Sequence, residues 1–278
     1  MIRNILVGLD LSAGSRTAVG LGIEWANRYG AELVGLAVLD EPGIRAAEPT
    51  GIGGGYYKAA IERARLAAAT AEVNELVREF RRRCGAAGVR HDARTVTGDP
   101  VRAVLDLHDD FDVTLLGRET RFRFATRDGP DDVPSGVLRQ ARRPVAVVPD
   151  LLPAGGPVVV AYDGSEAAVD ALRAFAAARL GVGRLVSVVS VAGRADEAAR
   201  RAGEAARYLA HHDVPAVPRP VTTTADAGAA LDAAAEAAGA SMVVMGAFAG
   251  GRQWFRRSAT TRMLRSPNRL LYLHRHPD

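Results

Sequence analysis

Residues 3–19, RNILVGLDLSAGSRTAV, and residues 156–172, GPVVVAYDGSEAAVDAL, read as one unit written twice. In each, a β-branched apolar run ends on an aspartate, Asp10 or Asp163, and a helical pattern follows. Ser12 and Ser165 stand where an N-cap belongs, because a serine oxygen accepts an amide hydrogen that has no partner in the first turn. The correspondence continues downstream, as a true internal repeat should. AELVGLAVLD (31–40) matches GRLVSVVSVA (183–192), and FDVTLLG (111–117) matches ASMVVMG (240–246). RRPVAVVPD (142–150) matches SPNRLLYLH (266–274). Alanine-rich helical stretches separate these runs at 12–29, 58–87 and 100–109, and again at 165–180, 194–212 and 226–238. Each half therefore reads β-α-β-α-β-α-β-α-β. The first half is longer, with its extra residues in the glycine-rich loop 40–57 and the second helix.

Strands that alternate with helices imply a parallel α/β sheet covered on both faces, since each parallel connection is a right-handed crossover. Runs such as VVVAY and MVVMG are nearly all apolar, as doubly covered strands are. The expected fold is two tandem doubly wound five-stranded domains in the order 3-2-1-4-5. They span 1–150 and 158–278, with LLPAGGP (151–157) as a Pro- and Gly-containing linker. Ligands of such sheets bind beyond the carboxyl ends of the strands, where the strand order reverses. That point falls between the first and fourth strands, so Asp10 meets Gly117 in one half and Asp163 meets Gly246 in the other.

Composition limits the function classes. Nearly half the 278 residues are hydrophobic and 24% are charged, as in a soluble globular protein. No apolar run approaches the roughly 18 residues that cross a bilayer. The N-terminus runs straight into a strand-like segment, without the pattern of a signal peptide, so the expected location is the cytoplasm. Cys84 is the one cysteine, which leaves no intrachain disulfide and no cysteine metal cluster. The net charge of +4 comes almost entirely from arginine, with acids interleaved and Lys58 the single lysine. No nucleic-acid-binding motif or aromatic-studded basic face accompanies it.

Between residues 245 and 261 the chain reads MGAFAGGRQWFRRSATT. Together with the repeated strand-Asp-Ser-helix unit, this loop gives the whole chain a resemblance to the universal stress protein family in its tandem two-domain form. The ATP-binding branch of that family carries G-x2-G-x9-G-[S/T] after the fourth strand. Here Gly246 keeps the first glycine, Ala249 and Ala259 replace the next two, and Thr260 keeps the hydroxyl. Glycine permits positive φ and close approach of backbone amides to an anion, which alanine permits only in ordinary backbone space. Gly250 and Gly251 shift the flexible point by one or two residues. Arg252, Arg256 and Arg257 supply charge, and Ser258, Thr260 and Thr261 supply hydroxyls, with the last two expected to open the final helix. The first half departs further: Thr120 holds the second glycine position, Ser135 and Gly136 stand where G-[S/T] belongs, and Asp131 and Asp132 bring negative charge.

The resemblance implies a cytoplasmic stress-response regulator binding ATP or a related adenine nucleotide, with Mg²⁺, mainly in the second domain. Its candidate ligands there are Asp163, Gly246, Gly250, Gly251, Arg252, Ser258, Thr260 and Thr261. The weaker first-domain set is Asp10, Gly117, Ser135 and Gly136. It also implies that the fifth strands of the two halves pair antiparallel as an intrachain pseudo-dimer. The expected partners are a small-molecule nucleotide and a protein, with no nucleic acid and no membrane, and a homodimer left open. The competing reading is a nucleotide-independent interaction protein whose altered loops dock a partner through Trp254 and Phe255.

Other features read more plainly. GIGGGYY (51–57) fails the dinucleotide and P-loop patterns and reads as a surface loop. His211–His212–Asp213 reads as a solvated helix end, and His274–Arg275–His276 as a ragged terminus rather than a metal site. Cys84, after three arginines, reads as structural. No catalytic or metal-binding set recurs in the two halves, so no activity beyond slow ATP hydrolysis is expected.

Overall fold

A computed structural model describes residues 1–46, 55–124, 132–152, 155–247, 254–265 and 268–276. In chain order the first repeat contains β1 (Asn4–Gly8), α1 (Ala13–Tyr29), β2 (Glu32–Leu39), α2 (Glu41–Ala46), α3 (Gly55–Ala86) and β3 (His91–Thr97). It continues with α4 (Pro100–His108), β4 (Val113–Gly117), α5 (Val133–Leu138) and β5 (Val145–Val148). The second contains β6 (Val158–Ala161), α6 (Glu166–Ala178), β7 (Val186–Ala192), α7 (Ala195–Ala210) and β8 (Ala216–Thr222). It ends with α8 (Ala227–Ala237), β9 (Met242–Ala247), α9 (Trp254–Arg265) and β10 (Leu270–Arg275).

The contacts divide the chain into two compact units, Arg3–Val137 and Leu138–Asp278, the latter joined by Met1–Ile2. In the first unit β1 pairs parallel with β2 and β4, and β2 pairs parallel with β3, giving β3-β2-β1-β4. In the second, β6 pairs parallel with β7 and β9, β7 with β8, and β9 with β10. Counted within its own repeat, that order is 3-2-1-4-5. β5 belongs to this unit because it pairs antiparallel with β10, Tyr272 opposite Ala146. The antiparallel pairing of the two fifth strands is thus present, and the doubly wound α/β class is the one expected.

Local chemistry explains the element boundaries. Ser12 caps α1 by accepting from the Ser15 amide, and Ser165 caps α6 by accepting from Ala168, each at 3.1 Å. Asp99 caps α4 in the same way, with Pro100 in its first turn, where a missing amide hydrogen costs nothing. All five residues of β4 are buried, and Val158, Val159 and Val160 of β6 are buried too, as expected of strands inside a sheet. β3 and β8 are mostly exposed and lie at sheet edges; β8 carries Pro218 and Pro220, which an edge strand tolerates. No helix among the described residues is long and apolar enough to cross a membrane.

Several local expectations change. α2 lies within the predicted glycine-rich loop, and α3 already includes Gly55, Tyr56 and Tyr57; residues 51–54 lie outside the described residues. The carboxyl terminus is not ragged through His276. Its ring lies with Nδ1 2.6 Å from Asp170 Oδ2 and Nε2 3.3 Å from Glu166 Oε2, so the two acids, one turn apart on α6, hold the end of the chain.

Candidate functional site

The second unit opens a cavity of about 350 Å³ at the carboxyl ends of β6, β7 and β9. Its place is set by topology: β6 and β9 are neighbours from which the chain departs to opposite sides. Ala161, Val189, Val191 and Met245 line it from the strands, Ala167 and Ala168 from α6, and Ala227 and Leu231 from α8. Val189 and Val191 both face it because side chains two apart on a strand share one face. The wall is therefore largely apolar, with Tyr162, Asp163, Ser165 and Arg201 as its polar points.

Asp163 is positioned by its own turn. One carboxylate oxygen accepts from the Ser165 amide at 2.9 Å, while Gly164 at φ 78° turns the chain into α6. Arg201 of α7 reaches over this turn, its Nε 3.5 Å from where a Cβ on Gly164 would lie. The same guanidinium is 2.6 Å from Glu197. Burial, and then the negative charges of Glu204 and Asp163, hold the Tyr162 phenol above its ordinary value, so it stays protonated.

The structure brings Asp163, Gly246 and Ala259 to one cavity. Gly246 has a packing role there as well. A Cβ on it would lie 2.7 Å from the Ala167 carbonyl carbon and the Ala168 nitrogen, so the first turn of α6 rests on this glycine. Thr260 is 1% exposed and Thr261 is exposed, and both belong to the second turn of α9. They do not open the final helix, which begins at Trp254. Ser258 lies in the same helix; Gly250, Gly251 and Arg252 lie outside the described residues. Sequence reading missed Tyr162 and Arg201. Tyr162 was signalled only by standing directly before Asp163, and Arg201 by nothing local.

In the first unit the equivalent place is filled by the chain itself. Asp10 is 4% exposed. One of its oxygens accepts from the Ser12 amide at 3.0 Å and the Ser12 hydroxyl at 2.6 Å. The other accepts from the amides of Arg121 at 2.8 Å and Phe122 at 3.4 Å, both in the segment after β4. Phe122 is fully buried at φ 52°, and its Cζ lies 3.0 Å from where a Cβ on Gly8 would stand. Gly8 corresponds to Ala161, a wall of the second-unit cavity, in the repeat alignment. Gly117 mirrors Gly246: its Cβ would meet Ser15 nitrogen at 2.4 Å, so α1 rests on it. Ser135 gives its amide to Asp132 at 2.9 Å and its hydroxyl to the same carboxylate. Gly136 has Val101 against it, 2.8 Å from a virtual Cβ. Asp131 lies outside the described residues.

None of the remaining candidates lines the second-unit cavity. Cys84 is fully buried and its thiol is pushed up to about 11 by burial, the reverse of an activated thiolate. His211, His212 and Asp213 are exposed, as expected of a solvated helix end. Among the described residues no group of three or more His, Cys, Asp or Glu is arranged to hold a metal ion.

Comparison with known proteins gives the geometry a family. The profile of the universal stress protein family matches residues 1–149. The chain is similar to the crystal structure of a universal stress protein from Archaeoglobus fulgidus DSM 4304. The likeness covers 99% of this chain and 98% of that one, with a TM-score of 0.70 and 17% identity. It is also similar to a protein from Pseudomonas aeruginosa PAO1 described as functionally unknown, over 99% of this chain and 92% of that one, with a TM-score of 0.54 and 14% identity. No curated protein matches the chain. At these identities the structural likeness speaks for the fold, and the profile, which takes in more than half of the chain, speaks for descent: the chain belongs to the universal stress protein family.

Proposed function

We propose that this protein is a regulatory module of the stress response that binds an adenine nucleotide in its second domain and carries out no dedicated reaction. The observation that carries the reading is the cavity at the β6–β9 switch point. It combines apolar walls suited to a heteroaromatic base with Asp163, a strand-end carboxylate placed to accept from a sugar hydroxyl or an exocyclic amine. Gly246 and Thr260 belong to this proposed site as wall and support, and Gly250, Gly251, Arg252, Ser258 and Thr261 as its proposed outer part. The domain limits 1–150 and 158–278, the cytoplasmic location and Mg²⁺ as companion ion go with the same proposal.

A second reading applies to the first domain. With Asp10 and Ser135 bonded to the chain's own groups and Phe122 packed at Gly8, that domain is read as a nucleotide-free scaffold. Calorimetric titration with adenine compounds tests the main reading, using Val191→Phe to fill the cavity from its half-buried lip and Asp163→Ala to remove the carboxylate. Heat of binding that disappears in both variants supports it. Binding that survives both puts the ligand elsewhere.

A further inference from the structure

We propose that β3, the edge strand of the first domain, is a self-association site. It takes β3 of a second copy of this chain as an antiparallel neighbour, with Asp92 and Arg94 of each copy pairing across the twofold axis. None of the residues involved lines the β6–β9 cavity, so the proposal stands apart from the nucleotide reading.

The direction of the backbone groups is the first support. Along a strand the amide and carbonyl of one residue point to one side, and those of the next residue point to the other. The Leu33 amide donates to the Arg90 carbonyl at 2.9 Å, and the Gly98 amide donates to the Leu39 carbonyl at 3.1 Å, at the two ends of the β2–β3 register. Even-numbered residues of β3 therefore face β2, and His91, Ala93, Thr95 and Thr97 turn their amides and carbonyls outward. None of these four is proline, so the outward side keeps its donors. The edge of the second domain is built the opposite way. The Thr223 amide donates to the Ala192 carbonyl at 3.0 Å, so even-numbered residues of β8 face outward, and Pro218 and Pro220 are among them. Proline removes the donors that a further strand would use. One edge lacks those donors and the other has them.

Charge supplies the occupant. Asp92 and Arg94 lie on one face of β3, and both are exposed. When two copies of the strand run antiparallel with Ala93 opposite Ala93, Asp92 of each copy stands opposite Arg94 of the other, and His91 stands opposite Thr95. The outward-facing residues then fall at the hydrogen-bonded positions of the ladder. Asp92 and Arg94 fall at the non-hydrogen-bonded positions, where opposed side chains come closest. Neighbouring registers lose the match. Centred on Arg94, the two arginines oppose each other; centred on Asp92, the two carboxylates do; centred on Thr95, neither charge meets its opposite. The strand is complementary to itself in one register, which favours a second copy over an unrelated peptide.

The contacts within the single chain set the strength. Asp92 Oδ1 accepts from the Ala93 amide at 2.8 Å, and Oδ2 lies 3.7 Å from Arg94 Nε. The carboxylate thus covers the central outward donor, as a protected edge requires. Pairing exchanges these contacts for others of the same kind: the Ala93 carbonyl of the second copy accepts from the amide, and Arg94 of the second copy takes the carboxylate. The gain comes from the other outward amides and carbonyls, which exchange water for a strand. The dimer is therefore weak and concentration-dependent.

Sedimentation equilibrium of the full chain over a range of concentrations is the test. The wild type shows a monomer–dimer equilibrium. Asp92→Arg and Arg94→Asp each set like charges opposite one another on both sides of the axis, and each raises the dimer dissociation constant by about tenfold or more. Combining Asp92→Arg with Arg94→Asp restores opposite charges at every pair and brings the constant back to within about threefold of wild type. Thr95→Pro removes an outward donor, leaves the β2 ladder intact and weakens the dimer as well. A chain that stays monomeric at every concentration overturns the proposal. So does a dimer indifferent to the single charge variants or to Thr95→Pro, or a double variant that associates no more tightly than the single ones.

Discussion

Phe122 offers the sharpest perturbation, because two opposing effects meet at one residue. Its side chain is fully buried over the end of β1, so Phe122→Ala removes an aromatic ring from a packed core and costs about 3–5 kcal/mol. Its φ of 52° is a left-handed conformation, which costs a non-glycine residue about 1–2 kcal/mol and costs glycine almost nothing. Phe and Ala both carry that strain, and Phe122→Gly releases it. The glycine variant is therefore expected to be more stable than the alanine variant by about 1 kcal/mol, although glycine ordinarily loses more entropy on folding. The amide bonds to Asp10 are available to both variants, so they do not separate them. Because the chain has two compact units, a single unfolding midpoint is ambiguous. Native-state hydrogen exchange at Ile5, Leu6 and Val7 of β1 reports the first unit directly. Unchanged protection in Phe122→Ala, or a glycine variant less protected than the alanine one, would refute the account of Phe122 as a strained plug.

Other expectations follow from the same geometry. Gly246→Ala and Gly117→Ala both force a methyl into the first turn of a packed helix and cost about 1–3 kcal/mol, read by native-state hydrogen exchange at β9 and β4 respectively. Gly117→Ala costs more, because its nearest backbone atom is at 2.4 Å against 2.7 Å; equal stability of Gly246→Ala and wild type would remove the packing role. His274 is held below its ordinary value of 6.5, chiefly by burial, with Asp170 opposing and Arg143 and His276 adding. The unfolded chain therefore takes up this proton first. The stability is present above pH 6.5 and is lost as pH falls from 6.5 through the lowered value. The opening free energy of β10, from hydrogen exchange corrected for intrinsic rates at several pH values, should fall more steeply with falling pH in wild type than in His274→Leu, and parallel profiles would contradict the assignment.

The fold was legible because the chain repeats itself. Asp10–Ser12 and Asp163–Ser165 mark the same strand-to-helix turn, and both serines cap as their position suggests. β3 and β8 were harder to place as segments, since HDARTVT and AVPRPVT lie at edges and lack a buried apolar run. The candidate site was legible only at its centre. Asp163 and Gly246 were marked by the repeat, but Arg201 reaches the turn from a helix whose sequence carries no motif. The start of α9 is set beyond the reach of a glycine count, so Thr260 read as a helix opening and lies in the second turn. The filling of the first switch point depends on Arg121 and Phe122 folding back onto Asp10, a contact between residues 111 apart in the chain. The Asp132 carboxylate at Ser135, by contrast, was visible as negative charge in the wrong place for a phosphate.

The most direct measurement is the stoichiometry of AMP binding by equilibrium dialysis of the full chain. One site per chain, abolished by Val191→Phe, is the result expected from an open cavity in the second unit and a filled one in the first. Two sites per chain, or one site that survives Val191→Phe, would contradict it.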